Sequence, residues 1–100
     1  MTAEQIRKDL AEIRCYYAME KSFIKGSAIV KNHAIAMKIN KYSDAISKAP
    51  PKLYILYMGL YADNNTQESL AKLWNCSEAN IRYYKKQLCD YLTDYFDKQS

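Results

Sequence analysis

The segment that decides the fold is residues 66–85, which read TQESLAKLWNCSEANIRYYK. Thr66 can cap a helix that begins here, and Ser77 can cap a second helix. Asn75 stands between them, and Asn is the best substitute for Gly where a tight turn needs left-handed backbone. Small Ala71 lets two helix backbones approach closely. The segment therefore predicts two helices that cross at a steep angle.

Apolar side chains are placed to fill the space between these two helices. They are Leu70, Trp74, Cys76, Ile81 and Tyr84. Past Lys86 the apolar spacing of three and four continues, so the second helix should be about twenty residues long in all. The continuation carries Leu88, Tyr91, Leu92, Tyr95 and Phe96. We expect this half to pack on the N-terminal helices in preference to another subunit.

Few turn signals interrupt the chain before this segment. Gly26 can end one helix and Ser27 can cap the next. Pro50 disfavours helical backbone in the residue before it, and Pro51 can open the following helix. Residues 63–66 form a polar turn, in which Asn65 acting with Glu68 is the alternative cap to Thr66. These breaks predict helices over about 3–25, 28–48 and 52–62.

The first two predicted helices each carry one apolar face at helical spacing. The faces consist of Ile6, Leu10, Ile13, Tyr17 and Ile24, and of Ala28, Ile35, Ile39, Tyr42 and Ile46. Residues 1–49 should form a helical hairpin or a dimerisation arm. The third helix is apolar nearly all round, as in a core helix, although its Tyr and Ile content also permits a strand. Residues 50–100 should form a three-helix unit with an extended C-terminal helix. The two parts should together make one compact domain.

Composition agrees with an all-α fold, a long helical pair followed by a three-helix unit. One hundred residues make about one small domain, which excludes a two-domain enzyme with a cleft between the domains. Two Gly and two Pro are too few for a turn-rich sandwich or barrel.

The residues that enzymes, metal sites and membrane proteins need are scarce in this sequence. The three cysteines form no C-x-x-C pair, and the single His33 has no acid three or four residues later. We therefore expect no metal, no cofactor and no enzyme activity. The N-terminus lacks a signal-peptide pattern, and no apolar run reaches the length of about twenty residues that spans a membrane. These features predict a cytoplasmic protein without a membrane partner.

The net charge of +4 is concentrated in one part of the chain. Residues 21–52 hold seven lysines and one acid, a balance of +6, whereas 1–20 and 53–100 each have a balance of −1. Such clustering fits an anionic partner, and it also fits a solvated helix face.

Residues 66–85 resemble the helix-turn-helix of DNA-binding proteins along their whole length. The residues whose chemical type fits the positions of that motif are Gln67, Leu70, Ala71, Asn75, Cys76, Ser77, Ile81 and Tyr84. The departures are Asn75 for the usual Gly, Cys76 for Val or Ile, and Trp74 for Leu. More widely, residues 40–97 resemble small phage and prophage helix-turn-helix proteins of Gram-positive bacteria. Those are similar to region four of sigma factors and to phage late-gene transcriptional activators.

This resemblance implies that the exposed face of the second helix, from about residue 78, enters the major groove of DNA. Arg82 suits guanine, Asn80 suits adenine, and Glu78 can accept a hydrogen bond from cytosine. The full set of candidate DNA-binding residues is Thr66, Gln67, Ser77, Glu78, Asn80, Arg82, Tyr83, Lys85 and Lys86. Possible additional backbone contacts are Lys31, Lys38 and Lys41.

Two functions remain open from the sequence. The first is a sequence-specific regulator of transcription that binds double-stranded DNA, as a homodimer and with RNA polymerase as a possible second partner. The alternative is a helical protein-binding factor or inhibitor, acting on RNA polymerase or another host protein, whose helix-turn-helix is structural. The acidic residues Asp90, Asp94 and Asp97 favour the alternative, because acids repel phosphate. Ten tyrosines suit an interface or a core equally well.

Overall fold

The computed structural model describes residues 2–22 and 33–99. These residues form five helices and no strand, which confirms the all-α prediction and excludes the strand alternative for residues 52–62. The helices are α1 (Ala3–Ser22), α2 (His33–Ser47), α3 (Pro51–Tyr57, continued by a π-helical turn, Met58–Ala62), α4 (Gln67–Leu73) and α5 (Glu78–Gln99). The predicted turn at Gly26 and Ser27, and with it Ile24, Ala28 and Lys31, lies outside the described residues.

The prolines act as the sequence predicted. Helix α2 ends at Ser47, and Pro51 occupies the first position of α3, where its missing N–H leaves no hydrogen bond unmade. The end of α3 differs from the regular helix expected there, because its last turn is π-helical. The Asp63 N–H donates to the Met58 carbonyl at 2.8 Å, five residues back.

Side chains from elsewhere stabilise this widened turn. The Arg14 Nε donates to the Leu60 carbonyl at 3.1 Å, and the Asn65 side chain donates to the Gly59 carbonyl at 3.0 Å. Donors that compete for helix carbonyls in this way favour π turns. Gly59 also lets α4 come close, since a Cβ there would lie 2.9 Å from Leu70 Cδ1.

A single hydrophobic core joins residues from all five helices. Its members include Ile6, Leu10 and Ile13 of α1, Tyr42 and Ile46 of α2, Leu53, Leu56 and Tyr57 of α3, Leu70 and Ala71 of α4, and Ile81, Leu88, Leu92 and Phe96 of α5. The second half of α5 therefore packs within the chain, against α1 and α2, as the core-packing interpretation expected.

One carboxylate is buried at the contact between α1 and α2. Asp9 is 4% exposed and accepts hydrogen bonds from Tyr42 Oη at 2.6 Å and from Gln5 Nε2 at 2.9 Å. The Lys38 ammonium lies 3.1 Å from an Asp9 oxygen and 3.1 Å from a Glu12 oxygen. Burial raises the pKa of Asp9, but the hydrogen bonds from Tyr42, Lys38 and Gln5 outweigh it and leave that pKa below its ordinary value. The group is therefore charged at neutral pH, and it joins the two helices.

Within residues 2–22 and 33–99, none of the helices combines the length and the apolar character that crossing a membrane requires.

Candidate nucleic-acid interface

Helices α4 and α5 begin at the caps that the sequence indicates. The Ser69 N–H donates to Thr66 Oγ1 at 3.0 Å, which selects Thr66 over Asn65 as the cap of α4. The Asn80 N–H donates to Ser77 Oγ at 3.2 Å. Caps of this kind satisfy backbone donors that the first helical turn leaves free.

The connection between α4 and α5 is a tight turn built on Asn75. This residue has φ 54°, in the left-handed region, as predicted for the substitute of a turn glycine. Just after it, the Cys76 N–H donates to the Ala71 carbonyl at 2.9 Å, which closes the end of α4. The turn therefore sets the relative direction of the two helices through local hydrogen bonds.

The apolar residues predicted between α4 and α5 lie between them. Leu70 and Ile81 are buried, and Trp74, Cys76 and Tyr84 are half-buried against the core. The Trp74 and Tyr84 rings meet edge to face with centroids 6.3 Å apart. This packing holds the first half of α5 on one side and leaves its opposite side uncovered.

The solvent-exposed surface of the first half of α5 carries most of the predicted DNA-binding residues of this helix. Glu78, Asn80, Arg82 and Lys86 are exposed, and Tyr83 is 57% exposed. The Tyr83 hydroxyl accepts a hydrogen bond from Gln87 Nε2 at 2.8 Å. A guanidinium, an amide, a phenol and an ammonium thus stand on one rigid helix, and all of them can hydrogen-bond to bases or phosphates.

A groove of about 730 Å³ runs between α1 and α5, and it brings together predicted residues from α4 and α5. Thr66 and Gln67 line one part of it, and Lys85 and Lys86 line another. Asn80 does not share this groove. It lines a second pocket, of about 470 Å³, together with Lys52, Trp74 and Tyr84. The predicted residues therefore fall into two groups on different sides of α5.

Two arginines of α1 also line the groove, and neither was among the predicted site residues. Arg14 has a structural role, since its guanidinium donates to the carbonyls of Leu60, Asn64 and Asn65 at 3.1, 3.3 and 3.4 Å. Arg7 is exposed. Nothing in the sequence indicated its importance, because residues 1–20, to which Arg7 belongs, have a net charge of −1.

The lysines proposed as additional backbone contacts are placed differently from one another. Lys38 is bound between the Asp9 and Glu12 carboxylates, and its side chain is 28% exposed. Lys41 is exposed, with its Nζ 4.8 Å from the centroid of the Phe96 ring. Lys31 lies outside the described residues. Lys38 is thus paired with two carboxylates of α1, whereas Lys41 is accessible to an anionic partner.

Comparison of the chain with protein-family models, with curated proteins and with solved structures finds no match. Among the residues that the structure describes, no group of three or more His, Cys, Asp or Glu side chains is arranged to hold a metal ion.

Proposed function

We propose that this protein binds double-stranded DNA, with the first half of α5 in the major groove and the start of α4 at the phosphate backbone. The observation that carries the proposal is the exposed side of α5 on which Arg82 and Lys86 stand one helical turn apart. The opposite face of the helix is anchored by buried Ile81. The backbone of a helix held in this way is already ordered before binding, so little backbone entropy is lost, which favours specific contacts.

The chemistry of the face supports base reading as well as attachment. Arg82 can donate two hydrogen bonds to guanine, and Asn80 can make the corresponding pair with adenine. Glu78 can accept a hydrogen bond from the amino group of cytosine, although its negative charge repels nearby phosphates. Thr66, Gln67, Lys85 and Lys86 suit the backbone, which positions the protein without reading sequence.

The resemblance to phage helix-turn-helix proteins adds two further elements to this proposal. Regulation of transcription, with RNA polymerase as a second partner, is the role it implies. A homodimer would place two copies of α5 about 34 Å apart on successive half-sites. The regulatory role and the homodimer are both predictions. Mass measurement of the free and DNA-bound protein in solution tests the homodimer.

Replacing Arg82 by Ala is expected to relax base preference at one position of the bound sequence. Loss of a bidentate contact to guanine costs about 1–3 kcal/mol against the preferred base, or about 5- to 150-fold in affinity. The measurement is selection of bound duplexes from a random pool, carried out with the wild-type protein and with the variant, followed by direct titration of the selected duplex.

Lys98→Ala is the matched control for that experiment. It removes one positive charge from the same helix, at a side chain 73% exposed and paired with Asp94 at 3.0 Å. We expect it to leave base preference unchanged. Equal affinity of the wild-type protein for every duplex, unaltered by Arg82→Ala, would contradict base reading by Arg82.

A protein-binding role is the second candidate, and an exposed apolar stripe on α3 favours it. Tyr54, Ile55 and Met58 are 44%, 52% and 37% exposed, at the spacing of one helix face. Contiguous exposed apolar surface of this kind is typical of protein interfaces. Electrophoresis with random duplex DNA at low salt separates the candidates: a shift at micromolar protein supports DNA binding, and its absence supports the protein partner.

A further inference from the structure

The groove between α1 and α5 has two walls of different composition. On α1 the wall consists of Ala3, Arg7, Ala11 and Arg14, which follow one stripe of the helix. The two alanines are small and leave space on either side of the Arg7 side chain. On α5 the wall consists of Lys85, Lys86, Cys89 and Asp90. On the α1 wall, small and basic residues therefore alternate along the groove.

Positive charge dominates the groove. Its lining includes two arginines and two lysines against one carboxylate, that of Asp90, a balance of +3. Since Arg14 is engaged by three backbone carbonyls, the cations left to face a ligand are Arg7, Lys85 and Lys86. Arg7 and Lys86 are exposed, and Lys85 is half-buried.

Arg7 and Lys85 act on the same point from opposite walls. Burial raises the pKa of the Cys89 thiol, which lines the same groove, and the charges of Arg7 and Lys85 oppose that increase, whereas Asp90 adds to it. Two cations on opposite walls of one groove can together stabilise an external anion that enters it.

We infer that α1 takes part in DNA binding, and that this groove holds the phosphodiester backbone with Arg7 across from Lys85 and Lys86. The inference rests on the proposed function, because it assigns the anion in the groove to DNA. The groove also includes Thr66 and Gln67, the α4 residues at the backbone in that proposal. A guanidinium can make two parallel hydrogen bonds to a phosphate, which makes Arg7 the strongest single contact in the groove.

The test is the salt dependence of binding to random-sequence duplexes, measured for the wild-type protein, Arg7→Gln and Lys8→Gln. Both variants lose one positive charge from α1, but Lys8 does not line the groove, and it pairs with Glu4 at 3.9 Å on the surface. Arg7→Gln should weaken binding to every duplex by about five- to tenfold and reduce the slope of log affinity against log salt by about 0.9. Lys8→Gln should change the affinity less than twofold.

Two further variants make the assignment specific to the groove. Arg7→Lys keeps the charge and should retain the wild-type salt slope with a smaller loss of affinity. Asp90→Asn removes the only carboxylate among the lining residues and should strengthen binding to all duplexes by about two- to fivefold. Thermal unfolding followed by circular dichroism checks that each variant is folded, and Arg7 is exposed, so its replacement should leave the unfolding temperature nearly unchanged.

The outcomes separate this inference from the proposed function. If the wild-type protein binds duplexes but Arg7→Gln and Lys8→Gln behave alike, α1 is not at the backbone, and the α5 proposal stands alone. If Arg7→Gln alters base preference with the salt slope unchanged, the assignment of the groove to phosphate is wrong. A wild-type protein that binds no duplex at low salt overturns both proposals.

Discussion

Raising the pH above about 10 is expected to destabilise this protein steeply, because three tyrosines are buried. Tyr42, Tyr57 and Tyr61 are 0%, 2% and 8% exposed. Burial is the main cause that raises the pKa of each phenol above its ordinary value, and for Tyr42 the hydrogen bond to Asp9 adds to it. In the folded protein these groups stay neutral, whereas in the unfolded chain they ionise near pH 10.

The sign and size of the effect follow from linkage. A folded-state pKa above the unfolded value contributes stability that is fully present below about pH 10 and is lost as the pH rises. Above about pH 10, each buried phenol lowers the free energy of unfolding by about 1.4 kcal/mol per pH unit, so the three together lower it by about 4 kcal/mol per unit. A domain with an unfolding free energy of about 5–10 kcal/mol should then unfold between about pH 11 and 13.

Circular dichroism and phenolate absorbance, recorded on the same titration, measure this transition. We expect the loss of helix to coincide with the ionisation of the three buried tyrosines. Tyr57→Phe is the control, and it should reduce the dependence of stability on pH by about 1.4 kcal/mol per pH unit, the contribution of one phenol. Ionisation of all ten tyrosines near pH 10 with the helices intact would show that burial does not protect these phenols.

Replacing Lys38 by Met is expected to lower the free energy of unfolding by about 2–3 kcal/mol and the unfolding temperature by about 10–20 °C. The ammonium lies 3.1 Å from Asp9, which is 4% exposed, so its removal leaves a buried carboxylate with two neutral donors only. Lys38 is itself partly exposed, which keeps the cost below that of a fully buried ion pair.

Lys41→Met is the matched control on the same helix. Lys41 contacts the Phe96 ring at 4.8 Å and is exposed, so its replacement should cost less than about 1 kcal/mol. The same two variants also test the backbone contacts predicted from the sequence. A stable Lys38→Met protein with weakened DNA binding would assign Lys38 to the backbone instead of to the α1–α2 contact.

Acid pH provides an independent check on the Asp9 cluster. The folded-state pKa of Asp9 is below its ordinary value, so its contribution to stability is complete above about pH 4 and is lost as the pH falls through the folded pKa. Asp9→Asn should therefore flatten the acid limb of the stability profile. An unchanged acid limb in that variant would mean that Asp9 is not the group that links stability to acid.

The helices, caps and turns of this protein follow from short-range signals. Thr66 and Ser77 accept hydrogen bonds from N–H groups three residues later, and Asn75 takes left-handed backbone through its own preference. Pro51 opens α3 by the geometry of its ring. The apolar stripes of α1 and α5 predicted buried residues for the same reason, since helical spacing is a property of the chain itself. The aliphatic residues and Phe96 on the described part of these stripes are buried, whereas Tyr17, Tyr91 and Tyr95 are half-buried.

Features that depend on residues far apart could not be predicted in this way. The π-helical turn is contacted by Arg14, which donates to the Leu60 carbonyl across 46 positions of sequence. The buried Asp9 is a polar residue beside the apolar stripe of α1, and only the approach of Tyr42 and Lys38 from α2 explains its burial. Arg7 belongs to the groove because α1 packs beside α5.

The sequence by itself determined that this chain is all helical, where α4 and α5 begin, and which face of α5 turns away from the core, because caps, dihedral preferences and helical period act within a few residues. Only the tertiary structure decided where the charges stand relative to one another. Packing places Lys38, from the most basic segment, between two carboxylates. It places Arg7, from a segment of net negative charge, in the same groove as Lys85 and Lys86. Electrostatic interactions depend on distance in space, and that distance is set by how the helices pack.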